Sequence, residues 1–140
     1  MWLLLLHGVV RRTIDCLVVV WNLGVDCPPE DVADGIRAIA QSFRRRLPQT
    51  RLIVMGILPV ANKSKRAKCR QVNEHLAKIN FEKVEVVYMD LWDKFTNPDG
   101  SLQEKLFTDG THLTVEGYRV WATSIEPLVA DMVGEDSSAR

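Results

Sequence analysis

Leu17-Val18-Val19-Val20-Trp21 is an unbroken apolar run, β-branched at its centre and closed by Asn22-Leu23-Gly24. A strand with one wet face would alternate apolar and polar residues. A run without alternation predicts a strand covered on both faces, as in a parallel sheet. A second run of this kind follows, Arg51 to Leu58 (RLIVMGIL), and Val84 to Met89 (VEVVYM) reads as a third strand. Between the first two, Pro28-Pro29 with Glu30 and Asp31 marks a helix start. Val32, Ile36, Ile39, Ala40 and Phe43 then recur at helical spacing, and Arg44-Arg45-Arg46 suits the negative dipole end before Pro48. After the second strand a polar stretch to about Lys65 reads as loop. A second helix is expected from Arg66 to about Asn80 on Val72, Leu76 and Ile79. Its basic stretch, Lys63, Lys65, Arg66, Lys68 and Arg70, reads as solvated.

After the third strand, Asp90 to Phe95 reads as a short turn or helix, and Asn97-Pro98-Asp99-Gly100 as a turn. A long final helix is expected with Thr114 as N-cap. It would carry Val115, Tyr118, Val120, Trp121, Ile125, Leu128, Val129 and Met132, and Pro127 could bend it. Alternating strands and helices imply parallel βαβ units joined by right-handed crossovers. The expected architecture is one α/β domain over residues 1–133, with 134–140 as a tail.

The chain has 140 residues, 18 basic and 18 acidic, and a formal net charge of zero, which removes the electrostatic case for nucleic-acid binding. No glycine-rich phosphate-binding sequence and no metal-ligand spacing occurs, so neither a nucleotide nor a metal is expected. The apolar opening at residues 1–6 is too short to span a membrane, and its arginines, Arg11 and Arg12, follow it where a signal peptide would have them first. It reads as a remnant of a buried helix. Cys16, Cys27 and Cys69 cannot all pair within one chain, which suggests a reducing, cytoplasmic compartment.

The sharpest chemical feature is Thr108-Asp109-Gly110-Thr111-His112-Leu113-Thr114, in the loop after the third strand. Loops at the carboxyl ends of parallel strands are where sites form in such sheets. A carboxylate three residues before a histidine, across a glycine turn, can fix the imidazole's tautomer and stabilise its cation, leaving the ring to act as general base. The bland alternative has Asp109 capping the turn and His112 as a surface residue at the helix entry.

The order of features resembles the SGNH (GDSL) esterase family, and within it the catalytic-subunit type of platelet-activating-factor acetylhydrolase. The features are LVVVW at 17–21, Gly35-Ile36, LIVMGILP at 52–59, Gln71-Val72-Asn73, DGTHLT at 109–114 and Gly117-Tyr118. The resemblance covers about residues 2–133. It implies a flavodoxin-like three-layer α/β/α sandwich, here with about three strands, and hydrolysis of short acyl esters through a serine acyl-enzyme. Asp109 and His112 would be its acid and base. It implies no cofactor, a small acyl-ester substrate, and a homodimer or a WD-repeat partner.

The departures concern the nucleophile and the oxyanion donors. The family's Gly-Asp-Ser is absent, and the strand and glycine that precede the equivalent of 17–21 would lie before residue 1. The family's Gly-x-Asn-Asp turn reads Asn22-Leu23-Gly24-Val25-Asp26-Cys27. Aligned without a gap, Val25 takes the asparagine position. Aligned on Gly24, Asp26 takes it, and Asn22 is a substitute donor at the strand end. Loss of one oxyanion donor typically lowers kcat by ~10²–10³. Ser42, Ser64, Ser101, Ser124, Ser137 and Ser138 lack the strand-to-helix placement of an exposed nucleophile. Cys27 is near a strand end, but Asp26 beside it opposes a thiolate. The two expectations are therefore an acyl-ester hydrolase lacking its serine within these residues, and a truncated or pseudoenzyme relative that acts through protein contacts. A strand as apolar as 17–21 with an uncovered edge would be a point of association.

Overall fold

The computed structural model describes residues 16–19, 27–48, 50–81 and 86–134. Its elements are β1 (Cys16–Val19), α1 (Pro29–Arg46), β2 (Leu52–Met55), α2 (Lys63–Ala77), β3 (Val86–Met89), α3 (Trp92–Phe95), a 3-10 turn at Glu104–Leu106, and α4 (Val115–Gly134). The strands form one parallel sheet in the order β1-β2-β3. Val19 lies opposite Met55, and Met55 opposite Met89, so the three carboxyl ends are level. Val20 and Trp21 lie outside the described residues.

All four residues of the central strand are buried, and their alternation feeds two cores. Leu52 and Val54 pack with Ala33, Ile36 and Ala40 of α1 and Cys69, Val72 and Leu76 of α2. Ile53 and Met55 face the other way, onto Leu91, Phe95, Leu106, Phe107 and Ile125. Helices thus cover both faces, which gives the three-layer α/β/α arrangement expected of parallel strands without alternation.

Several local expectations change. The second helix begins at Lys63, not Arg66, because the Asn62 side chain accepts a hydrogen bond from the Lys65 N–H (3.0 Å) and caps the turn. Ser64 is therefore helical. Ile39 is 44% exposed, since the buried stripe of α1 runs through Ala33, Ile36 and Ala40. Val115 and Tyr118 are also exposed, at 69% and 57%, whereas Val120, Trp121, Ile125, Leu128 and Val129 pack inward. Gly117 sets this rotation: a Cβ there would run into the Leu106 carbonyl, so only glycine lets the first turn of α4 close on the 3-10 turn. Thr114 caps α4, accepting from the Gly117 N–H at 3.1 Å. The helix runs through Pro127, which carries no N–H for the Thr123 carbonyl. The 97–100 turn forms as expected, with Gly100 at φ 78° and its N–H on the Asn97 carbonyl. Among the described residues no helix is long and apolar enough to cross a membrane.

Candidate active site

Residues 107–113 form a small closed loop. Phe107 and Leu113 pair across its base, and the Thr108 N–H donates to the His112 carbonyl at 2.7 Å. At its tip Gly110 has φ 76°, a conformation glycine adopts without penalty. The Ala61 N–H donates to the Gly110 carbonyl at 2.7 Å. Ala61 closes the loop that leaves the carboxyl end of β2. This bond therefore brings the Asp109–His112 turn to the end of the sheet where the strands stop, as the general rule for such folds expects.

Within the turn, Asp109 uses its two oxygens differently. Oδ1 accepts from the Thr111 N–H (3.0 Å) and the His112 N–H (2.8 Å), and Oδ2 lies 2.7 Å from His112 Nδ1. The turn-capping role and the role of imidazole partner, alternatives at the level of sequence, coexist on separate atoms. The His112 backbone N–H, then its ring, then the Thr111 N–H hold the Asp109 carboxyl down to about 2 from an ordinary 3.8. Both side chains are accessible, Asp109 at 56% and His112 at 71%. A carboxylate on Nδ1 leaves Nε2 as the ring atom that can take a proton from a nucleophile or water.

A depressed carboxyl pKa links folding to acid. Asp109 is more acidic folded than unfolded, so its contribution to stability is present above about 3.8 and is lost as pH falls through about 2. Asp109→Asn keeps an acceptor for the two backbone N–H groups but has no charge to titrate. We expect its urea midpoint to fall less steeply than the wild type's between pH ~4 and ~2. Parallel acid profiles would show that the carboxylate is not held as described.

A second polar cluster supports the floor of this end of the sheet. Asn73 of α2 is 1% exposed. Its Oδ1 accepts from the Ile57 N–H (2.7 Å), and its Nδ2 donates to the Ile57 carbonyl (2.9 Å) and to Asp90 Oδ1 (3.3 Å). Asp90 also accepts from the Trp92 N–H at 2.9 Å, yet burial pushes its carboxyl above the ordinary range. One helix side chain thus ties the turn after β2 to the turn after β3. This tie was not anticipated from sequence. Its signal is a polar residue inside the buried stripe Cys69, Val72, Asn73, Leu76. Within the basic stretch, Lys63, Lys65 and Arg70 are exposed as expected, but Arg66 and Arg70 also have partners. Arg66 bonds to the Val60 and Ala61 carbonyls, and Arg70 lies 5.4 Å over the Trp92 ring while pairing with Glu74.

The oxyanion candidates Asn22, Gly24 and Asp26 lie outside the described residues. Cys27 is exposed, and Cys69 is buried with its thiol pushed up to about 11. Ser101 donates to Asp99 Oδ1 (2.6 Å) in the 97–100 turn, and Ser124 donates to the Val120 carbonyl within α4. Among the described residues no cluster of histidine, cysteine and acidic side chains could hold a metal.

The model of the GDSL-like lipase/acylhydrolase family matches residues 17–120. The rat and human platelet-activating factor acetylhydrolase IB subunits alpha2 are each 33% identical over 134 residues, 92% of this chain. The human alpha1 subunit is 31% identical over 136 residues. In each case the chain spans 58% of the relative's length. Among solved structures, one from Streptococcus pneumonia described as a platelet activating factor superposes with a TM-score of 0.61 at 26% identity, over 76% of this chain and 54% of that one. A Bacteroides fragilis acylhydrolase structure gives 0.63 at 18% identity, over 74% and 52%, and supports the fold alone.

Proposed function

Because the chain belongs to the GDSL-like lipase/acylhydrolase family, we propose that residues 108–114 supply the acid–base half of a site that hydrolyses short acyl esters, acetyl esters among them. The observation that carries this reading is the 2.7 Å contact between Asp109 Oδ2 and His112 Nδ1 on a turn clasped to the end of β2. In the proposed reaction His112 Nε2 takes the proton of a serine hydroxyl as the oxygen attacks the ester carbonyl. The Asp109 carboxylate stabilises the imidazolium. The ring then returns the proton to the departing alkoxide, and the acyl-enzyme is opened by water in the same sense. The pair needs no metal or cofactor for these steps.

Residues 1–140 contain no Gly-Asp-Ser. The second reading follows from that observation: a non-catalytic relative that works through protein contacts, a second copy or a WD-repeat partner. Two measurements separate the readings. Residues 1–140 by themselves are expected to turn over short p-nitrophenyl esters only at trace rates. Robust turnover abolished by His112→Ala would reveal a nucleophile within them, and Cys27→Ala would then test the thiol. Residues 17–134 fused behind the amino-terminal segment of a family member that carries Gly-Asp-Ser should gain esterase activity. Replacing His112 by Ala in that fusion should lower kcat by ~10²–10⁴, the usual worth of a general base. A folded fusion that is inactive favours the non-catalytic reading, and one that stays active without His112 overturns His112 as the base.

A further inference from the structure

The Asp109–His112 turn is an exposed loop, closed at its base by Phe107 and Leu113, and its tip is joined to the segment after β2 by the Ala61 N–H. What fixes Ala61 therefore fixes the tip of the turn. Ala61 lies between the end of β2 and the Asn62 cap of α2. Its peptide is gripped from α2 by a single side chain. Arg66 Nη1 donates to the Val60 carbonyl at 2.9 Å and to the Ala61 carbonyl at 3.0 Å, while the Arg66 N–H donates to the Asn62 carbonyl at 2.8 Å. Two convergent carbonyls on one guanidinium nitrogen hold successive peptides in one orientation. That orientation aims the Ala61 N–H at the Gly110 carbonyl. Gly110 is the pivot between the two functional residues: its left-handed conformation turns the chain so that the Thr111 and His112 N–H groups converge on Asp109 Oδ1.

We propose that Arg66 is a positioning residue for the Asp109–His112 pair, acting through the Val60 and Ala61 carbonyls and the Ala61–Gly110 hydrogen bond. The proposal rests on the acid–base reading above. A planar guanidinium suits this task because its N–H directions are fixed and its charge strengthens bonds to neutral carbonyls. Among the described residues no carboxylate contacts Arg66 within 4.0 Å, and its charge is felt at Asp99 only weakly, as the last of the causes that lower that carboxyl. A residue that only stabilised α2 would lower the melting temperature and leave the imidazole of His112 untouched.

The test is nitrogen-15 NMR of the full 140-residue chain. Wild type should show His112 as the Nδ1–H tautomer and a scalar coupling across the Ala61 N–H to Gly110 carbonyl bond. Arg66→Met keeps the aliphatic stem and the helix propensity but removes the donors. It should lose that coupling and shift His112 to a mixture of both tautomers, with the amides of β2 and α4 unshifted. Arg66→Lys, which keeps a charged donor, should restore part of the coupling. If Arg66→Met does not fold, Arg66→Leu, which also lacks a donor, gives the same reading. An Arg66 variant without any side-chain donor that keeps both the coupling and the single tautomer overturns the proposal. A wild-type His112 lacking the Nδ1–H tautomer overturns instead the acid–base reading on which it rests.

Discussion

Asn73→Ala should destabilise the protein by about 2–5 kcal/mol, lowering its melting temperature by roughly 10 °C. The substitution removes both hydrogen bonds to the backbone of Ile57 in a place water does not reach. Each buried polar group left unpaired typically costs about 1–3 kcal/mol, and here an N–H and a carbonyl are orphaned together. A small volume lost from the packing between α2 and β2 adds to this. Asn73→Asp offers a sharper contrast. It keeps the acceptor for the Ile57 N–H, but it loses the donor to the Ile57 carbonyl and sets a second carboxylate beside Asp90. Its deficit should grow as pH rises and ionises the pair, whereas that of Asn73→Ala should change little with pH. Urea titrations of both variants at pH 5 and 8 decide the matter. A loss below about 1 kcal/mol for Asn73→Ala would mean the two turns are held by something other than this amide.

Gly110→Ala should cost less stability and disturb the site more. Alanine at φ 76° is strained by about 1–2 kcal/mol. The new methyl would also run into the Ala61 methyl. Ala61 is exposed, so the collision is relieved by moving the loop away from the end of β2, which breaks the Ala61–Gly110 bond. In the fusion that carries a serine, kcat is expected to fall at least ~10²-fold, the scale at which a small misplacement of a catalytic group is felt. Adding Ala61→Gly to Gly110→Ala should recover the steric share of the loss and leave the backbone strain. A fusion bearing Gly110→Ala with unchanged kcat would show that the turn tolerates displacement and that Asp109 and His112 need no clasp.

The fold was legible where one periodicity was unopposed. The unbroken run at 17–21 and its counterpart at 51–58 announce strands covered on both faces, whereas 84–89, with Glu85, announces only a strand, and Val87 of β3 is exposed. The central strand obeys, with Leu52 and Val54 on one face and Ile53 and Met55 on the other. Element ends were less legible, because caps depend on single side chains. Asn62 starts α2 a turn early within what reads as a polar loop. The rotation of α4 was hidden as well. Val115 and Tyr118 sit at helical spacing with the buried residues, yet the close approach of Gly117 to Leu106 turns them to solvent, and only the three-dimensional contact reveals this. At the site, the Asp-x-x-His spacing suffices to suggest a carboxylate on an imidazole, because the interaction is local in sequence. The Ala61–Gly110 bond spans 49 residues and the Asn73–Ile57 bridge 16, and no local pattern encodes such partners. Arg66 was hidden for another reason: its partners are backbone carbonyls only five and six residues before it, which no side-chain pattern marks among the neighbouring cations.

The account stands most directly on the state of one ring. A long-range proton–nitrogen correlation spectrum of His112, recorded where the ring is neutral, reads which nitrogen carries the hydrogen. Asp109 Oδ2 at 2.7 Å from Nδ1 predicts the Nδ1–H tautomer with Nε2 bare, and Asp109→Asn should disturb that preference. A single Nε2–H tautomer in the wild type, unchanged by Asp109→Asn, would contradict the relay and with it the reading of this turn as the acid–base half of an ester-hydrolysing site.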